Sequence, residues 1–344
     1  MNEHRDAPGG TAGDDVGDRP DGRPGALPGV TIGIPVYNGE TYLEEAIRSA
    51  LAQTRDDLEL VISDNASTDR TPEICGDYVL KDRRVRYFRN AHNLGAAPNY
   101  NIVFARARGR FFKWLAHDDR ITPTYAAKTT RVLESRPDAV LCNAVVSYID
   151  GNGQPLGLYD TRLSQADVPS VSQRWAHMVL RSHSCVDFFG MFRKSALEGS
   201  LRHGHFHGAD RALLAQMSLR GRLVQLPAPL IQMREHEHRY TRAQRRSTDR
   251  ASWHDASAQG RVNFPTWRLY LEYLKMLGGE RLSAGERARC YAVLARWWTL
   301  NWNAARAAVD VLAVLAPGVP DWTERMKVRV FGAAPGHLAA ARRR

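Results

Sequence analysis

Two adjacent carboxylates, Asp118 and Asp119, follow closely on the apolar, aromatic run Phe111-Phe-Lys-Trp-Leu115. Such a run reads as a buried strand, so the pair emerges at its carboxyl end, where ligands collect in open α/β sheets. Paired carboxylates in that place suit a hard divalent cation, Mg²⁺ or Mn²⁺, which prefers oxygen ligands and brings phosphate oxygens with it. The same two residues could form a solvated acidic turn. Asp64 ends a second β-branched run, Leu58–Ser63, and opens the turn-and-cap cluster Asp64-Asn-Ala-Ser-Thr-Asp69. Asp210 follows the His-rich segment His203-Gly-His-Phe-His207 at the start of a predicted helix, where Asp also serves as an N-cap. The alternating histidines do not follow the spacing of a structural zinc site.

These carboxylates need a scaffold, and the hydrophobic pattern supplies one. Strands are predicted at Val30–Val36, Leu58–Ser63, Val85–Phe88, Phe111–Leu115 and Ala139–Ile149. Between them lie predicted helices at Thr41–Thr54, from the Asp69 cap to Leu80, at Ala97–Arg108 and at Pro123–Arg136. Strands alternating with helices of this length imply βαβ units and a mostly parallel sheet, an α/β fold. Beyond Asp150 the pattern loosens. A Gly/Pro/Ser-containing connection leads to a helix near Val171–Arg181, a strand near Phe188–Phe192, the helix after Asp210, and two short strands, Arg222–Leu226 and Leu230–Arg234. After His254 the chain reads as helical, with Trp267, Trp297, Trp298 and Trp302.

Residues 1–29 are rich in Gly, Asp and Pro and read as a disordered leader without a signal peptide. No stretch approaches the length of a membrane span. Four widely spaced cysteines, Cys75, Cys142, Cys185 and Cys290, suggest reduced core thiols and a cytoplasmic protein. The net charge of +11 is concentrated late, because residues 231–344 hold 20 Lys and Arg against 10 Asp and Glu. That excess could be a solubilising surface, or could face anionic lipid or a phosphorylated substrate. No nucleic-acid recognition motif accompanies it, so a nucleic-acid partner is not expected.

The first strand leads into Pro35-Val-Tyr-Asn-Gly-Glu40 rather than a Gly-rich phosphate loop, which argues against dinucleotide binding and P-loop chemistry. With Val61-Ile-Ser-Asp-Asn-Ala-Ser-Thr-Asp69, Asn93-Leu-Gly95, Asn99, Asp118-Asp119, Gly208-Ala-Asp210 and Arg234-Glu-His236, the chain resembles the family 2 glycosyltransferases of the GT-A fold over about residues 30–240.

The resemblance implies a GT-A catalytic domain over 30–240, built on a single Rossmann-like sheet flanked by helices, and a basic helical extension over 241–344. It implies donor contacts from Pro35, Tyr37, Asp64, Asn93 and Gly95, with Asp64 on the nucleobase and Asp118 facing the ribose. Asp119 and His236 would hold the divalent metal, and Asp210 would be the general base of an inverting transfer. His117 stands where the family's motif often has its first acid, and Ala209 where a second acid often precedes the base. The implied partners are a nucleotide-diphosphate sugar and a saccharide, lipid-linked or small-molecule acceptor, with peripheral contact of the basic C-terminus to the inner face of a membrane as a further expectation. The alternative is a binding protein of the same fold that has lost the chemistry.

Overall fold

The computed structural model describes residues 27–237 and 264–316. The expected leader falls almost wholly outside them, as do most of the basic segment after Arg234 and the Arg-rich end. Strand β1 (Val30–Val36), β2 (Leu58–Asp64), β3 (Val85–Arg89) and β4 (Phe111–Trp114) lie in parallel in the order β3-β2-β1-β4. Their connections are helices α1 (Leu43–Leu51), α2 (Thr71–Lys81) and α3 (Ala96–Ala105). Strands β1, β2 and β4 are largely apolar on both faces because helices cover both, whereas the edge strand β3 carries Arg86 and Arg89. Ile32, Ile34 and Leu60 pack under α1 and α2 on one side, while Phe112, Trp114 and Val61 pack with α3 on the other.

Past β4 the sheet is mixed rather than mostly parallel. It continues through β8 (Met191–Arg193), β6 (Ala139–Ile149), β9 (Arg222–Arg234) and β5 (Arg120–Ile121), with β7 (Pro155–Tyr159) beside β6. The β6–β9 pair is parallel, whereas β4–β8, β6–β8, β6–β7 and β5–β9 are antiparallel. The two short strands expected at Arg222–Arg234 form one, with its register shifted between Ala144 and Val146 of β6 where Pro227 and Pro229 interrupt the ladder. The strand expected at Phe188–Phe192 is a buried 3-10 turn, Val186–Phe189, followed by the short β8. Its apolar residues face the core as a turn does here, with Phe188 stacked 4.6 Å from Trp114.

Helices α4 (Tyr125–Ser135), α5 (Val171–Leu180), the single turn α6 (Lys194–Leu197) and α7 (Ala209–Arg220) complete this part. The C-terminal helices α8 (Pro265–Gly279), α9 (Ala284–Trp297) and α10 (Asn303–Leu315) follow. Tyr273, Met276, Leu277, Cys290, Leu294 and Trp297 join the core formed with α5 and α7. All four cysteines are free and buried. Among the described residues no helix is long and apolar enough to cross a membrane.

Candidate active site

The carboxyl ends of β1, β2 and β4 bring three loops together, and side-chain bonds lock them. In the loop after β1, the Asn38 and Gly39 N–H groups donate to Ser67 Oγ and Thr71 Oγ1, each at 2.9 Å. Asn99 on α3 donates to carbonyls at the ends of β1 and β2, Val36 O at 3.3 Å and Ser63 O at 3.0 Å. A Cβ on Gly39 would lie 2.9 Å from the His117 ring, so glycine there allows the β1 loop to close against the segment carrying Asp118 and Asp119.

Asp64 is fully buried at the tip of β2. Oδ1 accepts from the Ser67 N–H at 2.8 Å and Oδ2 from the Tyr87 hydroxyl at 2.8 Å, with Arg89 Nε 3.5 Å away. It therefore fastens the β2 loop rather than capping α2, which starts at Thr71. Burial and this carboxylate hold the Tyr87 hydroxyl well above its usual pKa. The neighbouring Asn65 does the same for the next loop, donating to Asn93 Oδ1 at 2.7 Å and Gly95 O at 3.1 Å. Gly95 has φ +85° just before α3, a conformation that favours glycine. Pro35 is buried within β1, and Tyr37 is 45% exposed beside this cluster.

A tight turn, closed by Asp119 N–H to Ala116 O at 3.2 Å, carries the acidic pair into β5. Because Arg120 and Ile121 pair with Gln232 and Ile231, the pair is delivered beside the end of β9. Asp119 is buried, and its Oδ1 accepts the Arg234 backbone N–H at 2.9 Å. His236 Nε2 lies 2.9 Å from Asp118 Oδ2, so the imidazole meets the first acid of the pair rather than Asp119. The Arg234 guanidinium is fully buried and donates to Asp118 O, Asp150 O, Gly151 O and Glu45 Oε2. It lies 4.3 Å over the Tyr42 ring, and Arg120 also reaches Glu45, at 2.9 Å. Beneath them Lys113 is enclosed, donates to Phe189 O, and is pulled down to about pKa 7 by burial.

Asp210 sits in the first turn of α7, after Gly208 at φ +92°. Its Oδ1 accepts the Arg211 N–H at 2.7 Å. Arg211 is tied to the carbonyls of Arg181 and His183, at 3.2 and 2.7 Å. The ring of Tyr100 lies 4.8 Å from that of His203 and 5.9 Å from that of Phe188. Burial raises the pKa of the Tyr100 hydroxyl first, and the charges of Asp118, Asp119 and Asp210 all add to that rise. From the C-terminal helices, Tyr273 is buried within the electrostatic reach of Arg211, Cys185 and Asp210.

Glu45, Tyr42, Asn65, Asn99 and Tyr100 are thus part of the arrangement, although only Asn65 and Asn99 stood in recognisable sequence motifs. The others lie on predicted helices or loops and meet the site through tertiary contacts that periodicity does not encode. Of the alternating histidines, His203 is buried, and no group of three His, Cys, Asp or Glu able to hold a metal occurs among the described residues.

Residues 31–201 match the family model for Glycosyl transferase family 2. An uncharacterized glycosyltransferase of Haemophilus influenzae is 40% identical over 91 residues, spanning 26% of this chain and 36% of that protein. The chain spans about a third of the length of the curated relatives it matches. Among solved structures, S. aureus TarS 1–349 in complex with UDP-GlcNAc aligns with TM-score 0.59 at 16% identity, over 91% of this chain and 87% of that one. The mannosyltransferase PcManGT from Pyrobaculum calidifontis, in complex with GDP-Man and Mn²⁺, aligns with TM-score 0.55 at 17% identity, over 93% and 87%. At these identities the likeness shows a shared fold.

Proposed function

We propose that this chain, which belongs to glycosyl transferase family 2, transfers a sugar from a nucleoside-diphosphate sugar to an acceptor hydroxyl with inversion at the anomeric carbon. The observation that carries this reading is the delivery of Asp118 and the buried Asp119 to the carboxyl ends of the parallel strands, where Arg234 N–H reaches Asp119 at 2.9 Å and His236 lies 2.9 Å from Asp118. The solved structures with nucleotide sugars, TarS and PcManGT, support the donor class.

Pro35, Tyr37 and Asp64 shape the nucleobase end, with the Asn93–Gly95 loop beside them. Both Asp64 oxygens serve protein donors from a fully buried position, so its part is to hold the loop that would frame the base. Asp118 faces the ribose. Two carboxylates, Asp118 and Asp119, fit the donor set of Mg²⁺ or Mn²⁺, which is commonly completed by substrate phosphates rather than a protein cage. A bound cation there would neutralise the diphosphate and stabilise charge on the leaving group. His236, held on Asp118, is placed to contact the same phosphates or cation.

Asp210 takes the acceptor's hydroxyl proton as that oxygen forms its bond to the anomeric carbon. The bond from that carbon to the diphosphate oxygen breaks on the opposite face, and its electron pair leaves on the diphosphate. The single displacement inverts the centre. Residues 30–240 would form the catalytic unit, and 241–344 an extension whose helices α8 and α9 pack on it through the core.

The test is Asp210→Asn, which keeps shape and hydrogen bonding but cannot take a proton. Turnover should fall about 10²–10⁴-fold, the usual general-base contribution, while donor affinity stays within about twofold. Unchanged turnover, or an equal loss of donor binding, removes Asp210 from that role.

A further inference from the structure

We propose that the cleft between the Ser200–Phe206 loop and the first turn of α8 is a phosphate-binding subsite for a group carried by the acceptor. The cleft measures about 400 Å³, and its polar lining includes Asn101, Arg202, His203, His205 and Arg268, with no carboxylate. Its two guanidiniums are laid on aromatic rings: Arg202 lies 5.5 Å from the Phe104 centroid and Arg268 5.3 Å from that of Phe206. Stacking fixes the planar fork of arginine, the geometry that matches phosphate oxygens in pairs.

The backbone supports this aim. Arg202 adopts φ +52°, and its N–H donates to Ser200 Oγ at 3.1 Å. Asn101 clamps the next residue from both sides, donating to His203 O at 2.9 Å and accepting the His203 N–H at 3.1 Å. Among the described residues no carboxylate comes within ion-pair distance of Arg202, whereas Arg268 shares Glu272 with Lys275, at 3.0 and 3.2 Å. The lining therefore keeps an excess of positive charge.

His203 joins the cleft to the catalytic groups. Burial holds it neutral, with a pKa pushed down to about 4 against the opposing pull of the Asp210 carboxylate. Its ring lies 4.8 Å from that of Tyr100, the residue under the influence of all three carboxylates. A phosphate in the cleft would thus sit against the loop that leads directly into Asp210 at the start of α7. Assigning it to the acceptor rests on the proposed role of Asp210; the anion site itself does not.

The test is calorimetric titration of the full chain, without nucleotide, with glucose 6-phosphate, glucose and inorganic phosphate. Glucose 6-phosphate should bind at least as well as inorganic phosphate, and glucose not at all at the same concentration. Arg202→Gln and Arg268→Gln should each weaken binding about tenfold, the scale of one charge-assisted contact. Arg202→Lys should recover part of that loss, which separates lost charge from misfolding. Lys81→Gln, which removes an exposed cation on α2, should bind glucose 6-phosphate as the native chain does. Equal binding by the Gln variants of Arg202 and Arg268, or an equal loss in Lys81→Gln, would overturn the site. Inorganic phosphate binding with glucose 6-phosphate excluded would overturn the acceptor assignment. If the proposed transfer is wrong instead, nucleoside diphosphate release is absent while arginine-dependent phosphate binding persists.

Discussion

Arg234→Met removes a buried side chain that joins the acidic turn, the β6–β7 hairpin and α1. The guanidinium donates at 3.0 Å to Asp118 O, at 2.9 Å to Gly151 O and at 2.6 Å to Glu45 Oε2, from a fully buried position. Methionine fills similar volume, so the loss is electrostatic rather than a cavity. Breaking a buried ion pair by deleting one partner costs about 3–5 kcal/mol. Glu45 is 33% exposed and keeps Arg120, which places the cost at the low end, about 3 kcal/mol. For a chain of this size that is a fall of roughly 4 °C in melting temperature. Asp119 still receives the backbone N–H of residue 234, whereas the Asp118 carbonyl loses its donor. Donor KM should therefore rise more than kcat falls. Arg234→Lys keeps a charge but cannot span all four acceptors, and should lie between Met and the native chain. Thermal melting by circular dichroism, with donor titration, reads both effects. A Met variant melting within about 2 °C of the native protein would refute the reasoning.

Burial raises Asp187 to about pKa 6, against hydrogen bonds from Asn143 at 2.7 Å and Thr161 at 3.1 Å. The folded state then holds more protons than the unfolded one between about pH 4 and 6, so this group's contribution to stability falls as pH rises through that window. Asp187→Asn should stabilise the protein by about 2 kcal/mol at pH 7.5 and by little at pH 4, measured by urea unfolding at both pH values. An equal effect at both would refute the titration. The Tyr273 hydroxyl is buried with no hydrogen-bond partner among the described residues. Tyr273→Phe should be neutral or stabilising by up to about 1 kcal/mol. Tyr273→Ala should cost about 3–5 kcal/mol in the same denaturation assay. A Phe variant destabilised as much as Ala would reveal a contact for that oxygen.

The parallel half of the sheet was legible because Val30–Val36, Leu58–Asp64 and Phe111–Trp114 are largely apolar on both faces and separated by stretches of helical length. Asp118 and Asp119 were legible for the same reason, standing where an apolar run stops. Strand β5 was not, since two residues carry no periodicity, yet it is what brings the pair to Arg234 and His236. The β6–β7 hairpin hid in a polar connection that the Asp150 side chain organises, accepting from the Asn152 and Gln154 N–H groups. The turn Val186–Phe189 read as a strand because burial, not strand pairing, explains its apolar residues. Glu45 looked like an ordinary exposed helix residue until the fold placed two arginines on it.

The most direct test of the proposed transfer is incubation with a panel of UDP- and GDP-sugars plus Mn²⁺, following release of nucleoside diphosphate from the full chain and from Asp119→Ala. Cation-dependent release with at least one donor, abolished in Asp119→Ala, is the expected result. Binding of a nucleotide sugar without release under any acceptor condition would contradict the assignment and leave a binding protein on this fold.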